Sequence, residues 1–192
     1  MTTSRLEAFS DGVFAIIITI MVLELHAPAT GNLEALLTLW ATFASYALSF
    51  IYVGIYWSNH HHLLQASQRV NGATLWANLH LLFWLSLIPF ATRWMREQDF
   101  EAGPVLLYGV VLWMSASAFY ILDRTLLRLH GVESLLARAI GPGRKEQVSL
   151  VLYTAALPIA LWLPIVSVGL FIVVAVMWLI PDRRIEAALR TS

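Results

Sequence analysis

Apolar runs of about 20 residues recur along this 192-residue chain, and they constrain its fold more than any other feature. Their density shows in the composition: 59% hydrophobic and 12% charged residues, where a soluble domain carries roughly 45–50% and about 25%. Mean hydropathy is +0.71. The sequence therefore predicts an all-α integral membrane protein. The first run follows Arg5, Glu7 and Asp11 and has no small-residue cleavage site behind it, so it reads as a retained span rather than a signal peptide.

Six spans are expected, at about 8–25, 33–64, 73–94, 104–122, 148–162 and 164–180, in a single six-helix domain covering 1–192. The second is too long for one crossing: at 1.5 Å per residue it measures on the order of 48 Å against a hydrocarbon core of roughly 30 Å. Its end, with Asn59, His60, His61 and His62, is expected to emerge into water or protein. The last apolar block is broken at Leu157-Pro158 and Leu163-Pro164, which predicts two short helices around a turn near Trp162-Leu163-Pro164. Segment 126–147 is the one sizeable soluble piece, with a candidate interfacial helix over 132–140.

Basic residues set the orientation. With six spans, one side holds Arg5, Arg69, Arg124, Arg128, Arg138, Arg144, Lys145, Arg183, Arg184 and Arg190. The other holds Arg93 and Arg96, diluted by Glu97, Asp99 and Glu101. Both termini are expected in the cytoplasm. Zero formal charge makes nucleic acid an unexpected partner, and the absence of cysteine excludes disulfides and thiolate metal sites.

Ionisable groups inside a bilayer are expensive and are functional candidates by default. Asp11 opens the first run with no Lys or Arg three or four residues away, so its partner must be tertiary: Arg5 folding back, or a histidine or amide from another span. It reads first as a structural pin, second as a cation contact. Beyond it Ile16, Ile20 and Leu23 share one helical face with Thr19 at its edge. Around a symmetry axis such residues form stacked apolar rings that gate by dewetting, while a Thr hydroxyl offers an oxygen to a cation. Adjacent histidines point about 100° apart on a helix, so 60–62 cannot chelate one ion and no metal site is expected. His60 and His61 instead offer partners for Asp11 or Ser10, with Asn59, Asn78 and His80 as further polar candidates. Gly54 in Tyr52-Val53-Gly54-Ile55-Tyr56 lies within an uninterrupted apolar helix and reads as a packing glycine rather than a filter loop. Nothing resembles a phosphate loop, a nucleophile elbow or paired catalytic carboxylates, so an enzyme is not expected.

Arg5-Leu6-Glu7-Ala8-Phe9-Ser10-Asp11 matches RxxxFSD, and with the continuation GVFAIIITIMVLEL the chain resembles prokaryotic members of the transmembrane protein 175 family of potassium channels. That resemblance implies a homotetramer in a bacterial plasma membrane. The first helix of each subunit would line the pore, Ile16, Ile20 and Leu23 would form the constriction, and Thr19 would be a polar pore position. Arg5, Phe9, Ser10 and Asp11 would be a structural network near the cytoplasmic mouth. No cofactor is implied, only permeant potassium and other monovalent cations. The competing reading is a proton-coupled secondary transporter using Asp11 and histidines as a relay; it lacks an inverted repeat and a pair of broken midplane helices.

Overall fold

The structure is a computed structural model, and it describes residues 3–28, 33–131, 134, 136–137 and 143–179. The described residues are all-helical apart from turns and loops. The helices are α1 (Thr3–Leu23), α2 (Glu34–Leu37), α3 (Trp40–Gln65), α4 (Gly72–Ser86), α5 (Ile88–Glu97), α6 (Ala102–His130), α7 (Arg144–Ala160) and α8 (Pro164–Leu179). Three stretches are long and apolar enough to cross a membrane: α1, the combined Gly72–Glu97, and α6; α8 is a shorter apolar helix. Arg138, Arg183, Arg184 and Arg190 lie outside the described residues, as does most of the expected interfacial helix over 132–140.

Two expected spans are interrupted. The stretch 33–64 does not form one helix, because the chain turns at Thr38 and Leu39 between α2 and α3. Thr38 Oγ1 donates to Ala35 O (2.7 Å) and competes with the helical ladder. Leu39 N meanwhile bonds Leu36 O in the tighter three-residue pattern. The stretch 73–94 breaks at Leu87 because Pro89 has no N–H to give the Leu85 carbonyl and its ring crowds that oxygen. Leu87 N falls back on Trp84 O at 3.2 Å, and the ladder resumes with Ala91 N on Leu87 O at 3.0 Å. In the last block α7 begins at Arg144, within the segment read as soluble, and the chain turns through 161–163 before Pro164 opens α8. Proline fits that first helical position, where an N–H would have no partner.

Helix α6 is the centre of the helical bundle, packed by α4, α5, α7 and α8; α1 packs on α3, α4 and α5. Of the three long apolar stretches α1 is the least enclosed. Asn71 caps α4 by accepting from Thr74 N (2.9 Å), and Gly131, at φ 86°, closes α6 with its N–H on Leu127 O (2.8 Å). In hydrocarbon every hydroxyl needs an internal partner. Many here donate to the carbonyl one turn back, as Ser115 does to Val111 and Thr154 to Leu150.

The core between α3, α6, α7 and α8 is aromatic and fully buried, with Tyr108 and Tyr153 flanking Phe171 at ring-centre distances of 5.7 and 6.2 Å. Its polar tips pair with each other. Thr92 Oγ1 spends its proton on Ile88 O (2.7 Å), so Ser49 donates to Thr92 (2.7 Å) and Tyr108 donates to Ser49 (2.9 Å). Tyr153 donates to Tyr52 (3.1 Å), which donates to the Phe171 carbonyl.

Gly109 lets α8 approach α6: a Cβ there would stand 2.8 Å from Phe171 Cζ and 3.0 Å from Leu157 Cδ2. Gly109→Val is therefore expected to lower stability by about 1–3 kcal/mol through overpacking, read as a lower melting temperature in detergent. An unchanged melting temperature would show that the contact is not tight.

Candidate functional site

Helix α1 has two distinct faces. Leu6, Ser10, Phe14, Ile17 and Met21, spaced three or four residues apart, are buried against the rest of the chain. The opposite face is open: Phe9 (53% exposed), Ile16 (60%), Ile20 (43%) and Leu23 (73%). Thr19 lies exposed on that side, with its hydroxyl proton given to Ala15 O at 2.8 Å, so it presents lone pairs outward.

Ser10 anchors the buried face. Its hydroxyl donates to Leu6 O (2.9 Å) and accepts from Asn78 Nδ2 (3.0 Å). The Asn78 carbonyl oxygen therefore faces His60 Nε2 at 2.7 Å, and that nitrogen must carry the proton. The direction of each bond follows from the one before it: Ser10 has one proton, the amide must present nitrogen to it, and the amide oxygen can only accept. Ser10, Asn78 and His60 are each fully buried, so α1, α4 and α3 are joined by a chain that water does not reach. His60 Nδ1 is left as a buried acceptor with no partner, beside the Phe14 ring at 5.7 Å.

A second pair of contacts runs along the rim. Glu7 and Asp11 stand one turn apart on α1, and His61 and Trp57 one turn apart on α3. Glu7 Oε1 meets His61 Nδ1 at 2.8 Å, and Asp11 Oδ1 accepts from Trp57 Nε1 at 3.0 Å. The reversed order of the two pairs fixes α1 and α3 as antiparallel neighbours. Trp57 and His61 also stack on each other, 5.9 Å apart and 20° from coplanar.

The structure thus brings together Ser10, Asp11, His60, His61 and Asn78 from the candidate residues. It leaves Asn59 and His80 outside: Asn59 donates to its own helix at Ile55 O (2.8 Å), and His80 accepts from Trp84 Nε1 (3.0 Å). Arg5 and Phe9 are exposed on the open side of α1. The partner of Asp11 is neither Arg5, a histidine nor an amide but the Trp57 indole. A signal was present: two acids four residues apart on one helix match an aromatic donor and a histidine four residues apart on the next. Among the described residues no group of three His, Cys, Asp or Glu side chains could hold a metal ion.

Comparison with known proteins agrees on one family. The family described as "Endosomal/lysosomal potassium channel TMEM175" matches residues 5–89, which hold nearly all of α1, all of α3 and α4, and the Ser10–Asn78–His60, Asp11–Trp57 and Glu7–His61 contacts. A potassium channel from Chryseobacterium sp. (strain P1-3) is 50% identical over 192 residues, covering all of both chains. The chain belongs to the TMEM175 family. A potassium channel from Chamaesiphon minutus is 32% identical over 91% of this chain and 92% of its own length. The human endosomal/lysosomal proton channel TMEM175 is 28% identical over 76% of this chain, which matches 32% of that protein. In three dimensions, the crystal structure of a lysosomal potassium-selective channel TMEM175 homolog from Chamaesiphon minutus superposes with a TM-score of 0.78 and 28% identity, covering 92% of this chain and 95% of that one. TMEM175 proteins are ion channels, not enzymes, and the family implies no cofactor.

The two candidate asparagines differ in how much they support. Asn78→Leu orphans the buried His60 Nε2–H, at a cost of about 1–3 kcal/mol, and also removes the bond that Ser10 accepts, which leaves Ser10 only its bond to Leu6 O. Asn59→Leu removes one bond to its own helix and is expected to cost less than about 1 kcal/mol. Thermal unfolding in detergent separates the two, and equal shifts would mean that the buried chain contributes nothing particular.

Proposed function

We propose that this chain is the subunit of a homotetrameric potassium-permeable channel of the bacterial plasma membrane. It conducts passively through a central pore lined by α1. The observation that carries the proposal is the open face of α1. Ile16, Ile20 and Leu23 stand exposed along a helix whose other face is fixed by specific contacts. Four copies facing an axis would stack these side chains as apolar rings, with Thr19 oxygens between them. Branched side chains at close approach expel water, so the constriction gates by wetting and dewetting. Full-length similarity to chains named potassium channels supports potassium as the permeant ion.

In this reading the chain is one domain of six spans with both termini in the cytoplasm. The antiparallel register of α1 and α3 supports the arrangement. So does Arg69 Nη2 on Leu129 O (3.1 Å), which joins the α3–α4 connection to the end of α6. Among the described residues, Arg5, Arg69, Arg124, Arg128, Arg144 and Lys145 then gather at one end, and Arg93 and Arg96 at the other. Arg5, Phe9, Ser10 and Asp11 sit at the cytoplasmic mouth, where Ser10 and Asp11 fix the base of the pore helix.

Flux from liposomes under a potassium gradient tests the proposal. Ile16→Asn and Leu23→Ala should raise passive leak several-fold over the unsubstituted chain, because each removes an apolar ring that resists wetting. Saturable flux that requires a proton gradient and ignores both substitutions would instead favour a proton-coupled transporter. Asp11→Asn should lower tetramer yield while leaving selectivity unchanged in the tetramers that form.

A further inference from the structure

The end of α1 opposite the Ser10 anchor is held by charge. Glu24 follows Leu23 directly, and its Oε2 lies 3.2 Å from Arg93 Nη1 on α5. Arg93 Nε also bonds Glu97 Oε1 (2.8 Å), one turn further along α5. Arg96 Nη1 donates to the Glu24 backbone carbonyl at 3.3 Å, while its Nη2 stands 3.7 Å from Glu97 Oε1. The last carbonyls of a helix lack intrahelical donors and carry its negative pole, so a guanidinium there both completes the hydrogen bonding and complements the dipole. Arg96 is well placed for this, with a side chain only 16% exposed. The break at Leu87 sets the direction of α5 independently of α4, and so determines where both arginines stand.

The clamp itself borders a cavity of ≈ 270 Å³, counted with its open mouth, whose lining includes Glu24, Arg93 and Arg96 together with Met21, Tyr46 and Thr92. Beside the ion pair the space is therefore not filled by side chains that would duplicate its hold. Glu24 Oε2 is buried with no hydrogen bond beyond that ion pair, so weakening the pair has no second partner to compensate.

We infer that Arg93 and Arg96 are positioning residues for conduction: through Glu24 they fix how far Leu23, the outermost apolar position of α1, stands from the pore axis. The inference rests on α1 lining the pore. Glu24 acts as a tether in this arrangement rather than as an ion-binding carboxylate.

Single-channel recording in planar bilayers tests the inference with Glu24→Gln, Arg93→Gln, their double mutant, Arg93→Lys and Leu23→Ala. Releasing either end of the tether has the same mechanical consequence. Glu24→Gln and Arg93→Gln should thus change unitary conductance at least two-fold in the same direction, and the double mutant should match either single. Arg93→Lys, which keeps the charge, should restore most of the original value. A shift in permeability ratio should accompany the change, which a general loss of stability would not produce in channels that still open. If Glu24→Gln does not assemble, the half-exposed Arg93 and its Lys rescue carry the test alone. Opposite changes in Glu24→Gln and Arg93→Gln would identify a local field on the permeant ion and overturn the tether. Unchanged conductance in both, with Leu23→Ala altered, would overturn it while leaving the pore assignment standing. Unchanged conductance in all three would overturn both.

Discussion

The buried chain from Ser10 through Asn78 to His60 is the interaction on which the arrangement of α1 depends. Inside a membrane protein apolar contact distinguishes poorly between one helix face and another, because lipid tails are as apolar as leucine. A hydrogen-bonded chain does distinguish, since rotating α1 takes Ser10 away from the buried Asn78 amide, whose oxygen stays tied to His60 and whose N–H is left where water cannot replace the lost partner. The Leu6 carbonyl takes the only proton of Ser10, and every later donor and acceptor is then assigned. Rotation of the helix is settled by chemistry, and the outward face follows.

That outward face is where the proposed function is placed. With Ser10, Phe14, Ile17 and Met21 turned inward, Ile16, Ile20 and Leu23 must look out. A soluble protein would not leave such a stripe uncovered. In a membrane it meets either lipid or other copies of itself, and the second option builds an apolar constriction. The two ends of α1 are held differently: the base by buried neutral hydrogen bonds and a rim of Asp11–Trp57 and Glu7–His61 contacts, the outer end by Glu24, Arg93 and Arg96 beside a cavity. If α1 lines the pore as proposed, widening at Leu23 requires no disturbance at Ser10.

The sequence made some of this legible and hid the rest for physical reasons. Apolar run length exposed the helical membrane class, because hydrocarbon thickness imposes it directly. Pro164 marked the break in the last block, whereas Pro158, also read as a break, lies inside α7; Pro89 was overlooked because its flanking residues are equally apolar on both sides. Asn78 and His60 stood out as polar groups in apolar helices, whereas Trp57 did not: an indole serves equally in a core, at an interface or as a donor to a carboxylate, and composition alone does not separate these uses. Asn59 and His80 looked equivalent to their neighbours at 60 and 78. Helix rotation distinguishes them, and it became visible only when the partner helices were in place. Arg93 and Arg96 read from the sequence only as orientation markers, since nothing local joins them to Glu24, 69 and 72 positions away.

Because the chain has no native cysteine, the central claim that α1 faces the pore can be tested by introducing single cysteines along it and exposing the channel to silver ions, soft monovalent cations that bond thiolates. Potassium flux should be blocked irreversibly with cysteine at 16, 20 or 23, and remain untouched with cysteine at 172 or 176 on the exposed face of α8. Block confined to the α8 positions, with α1 silent, would contradict the account.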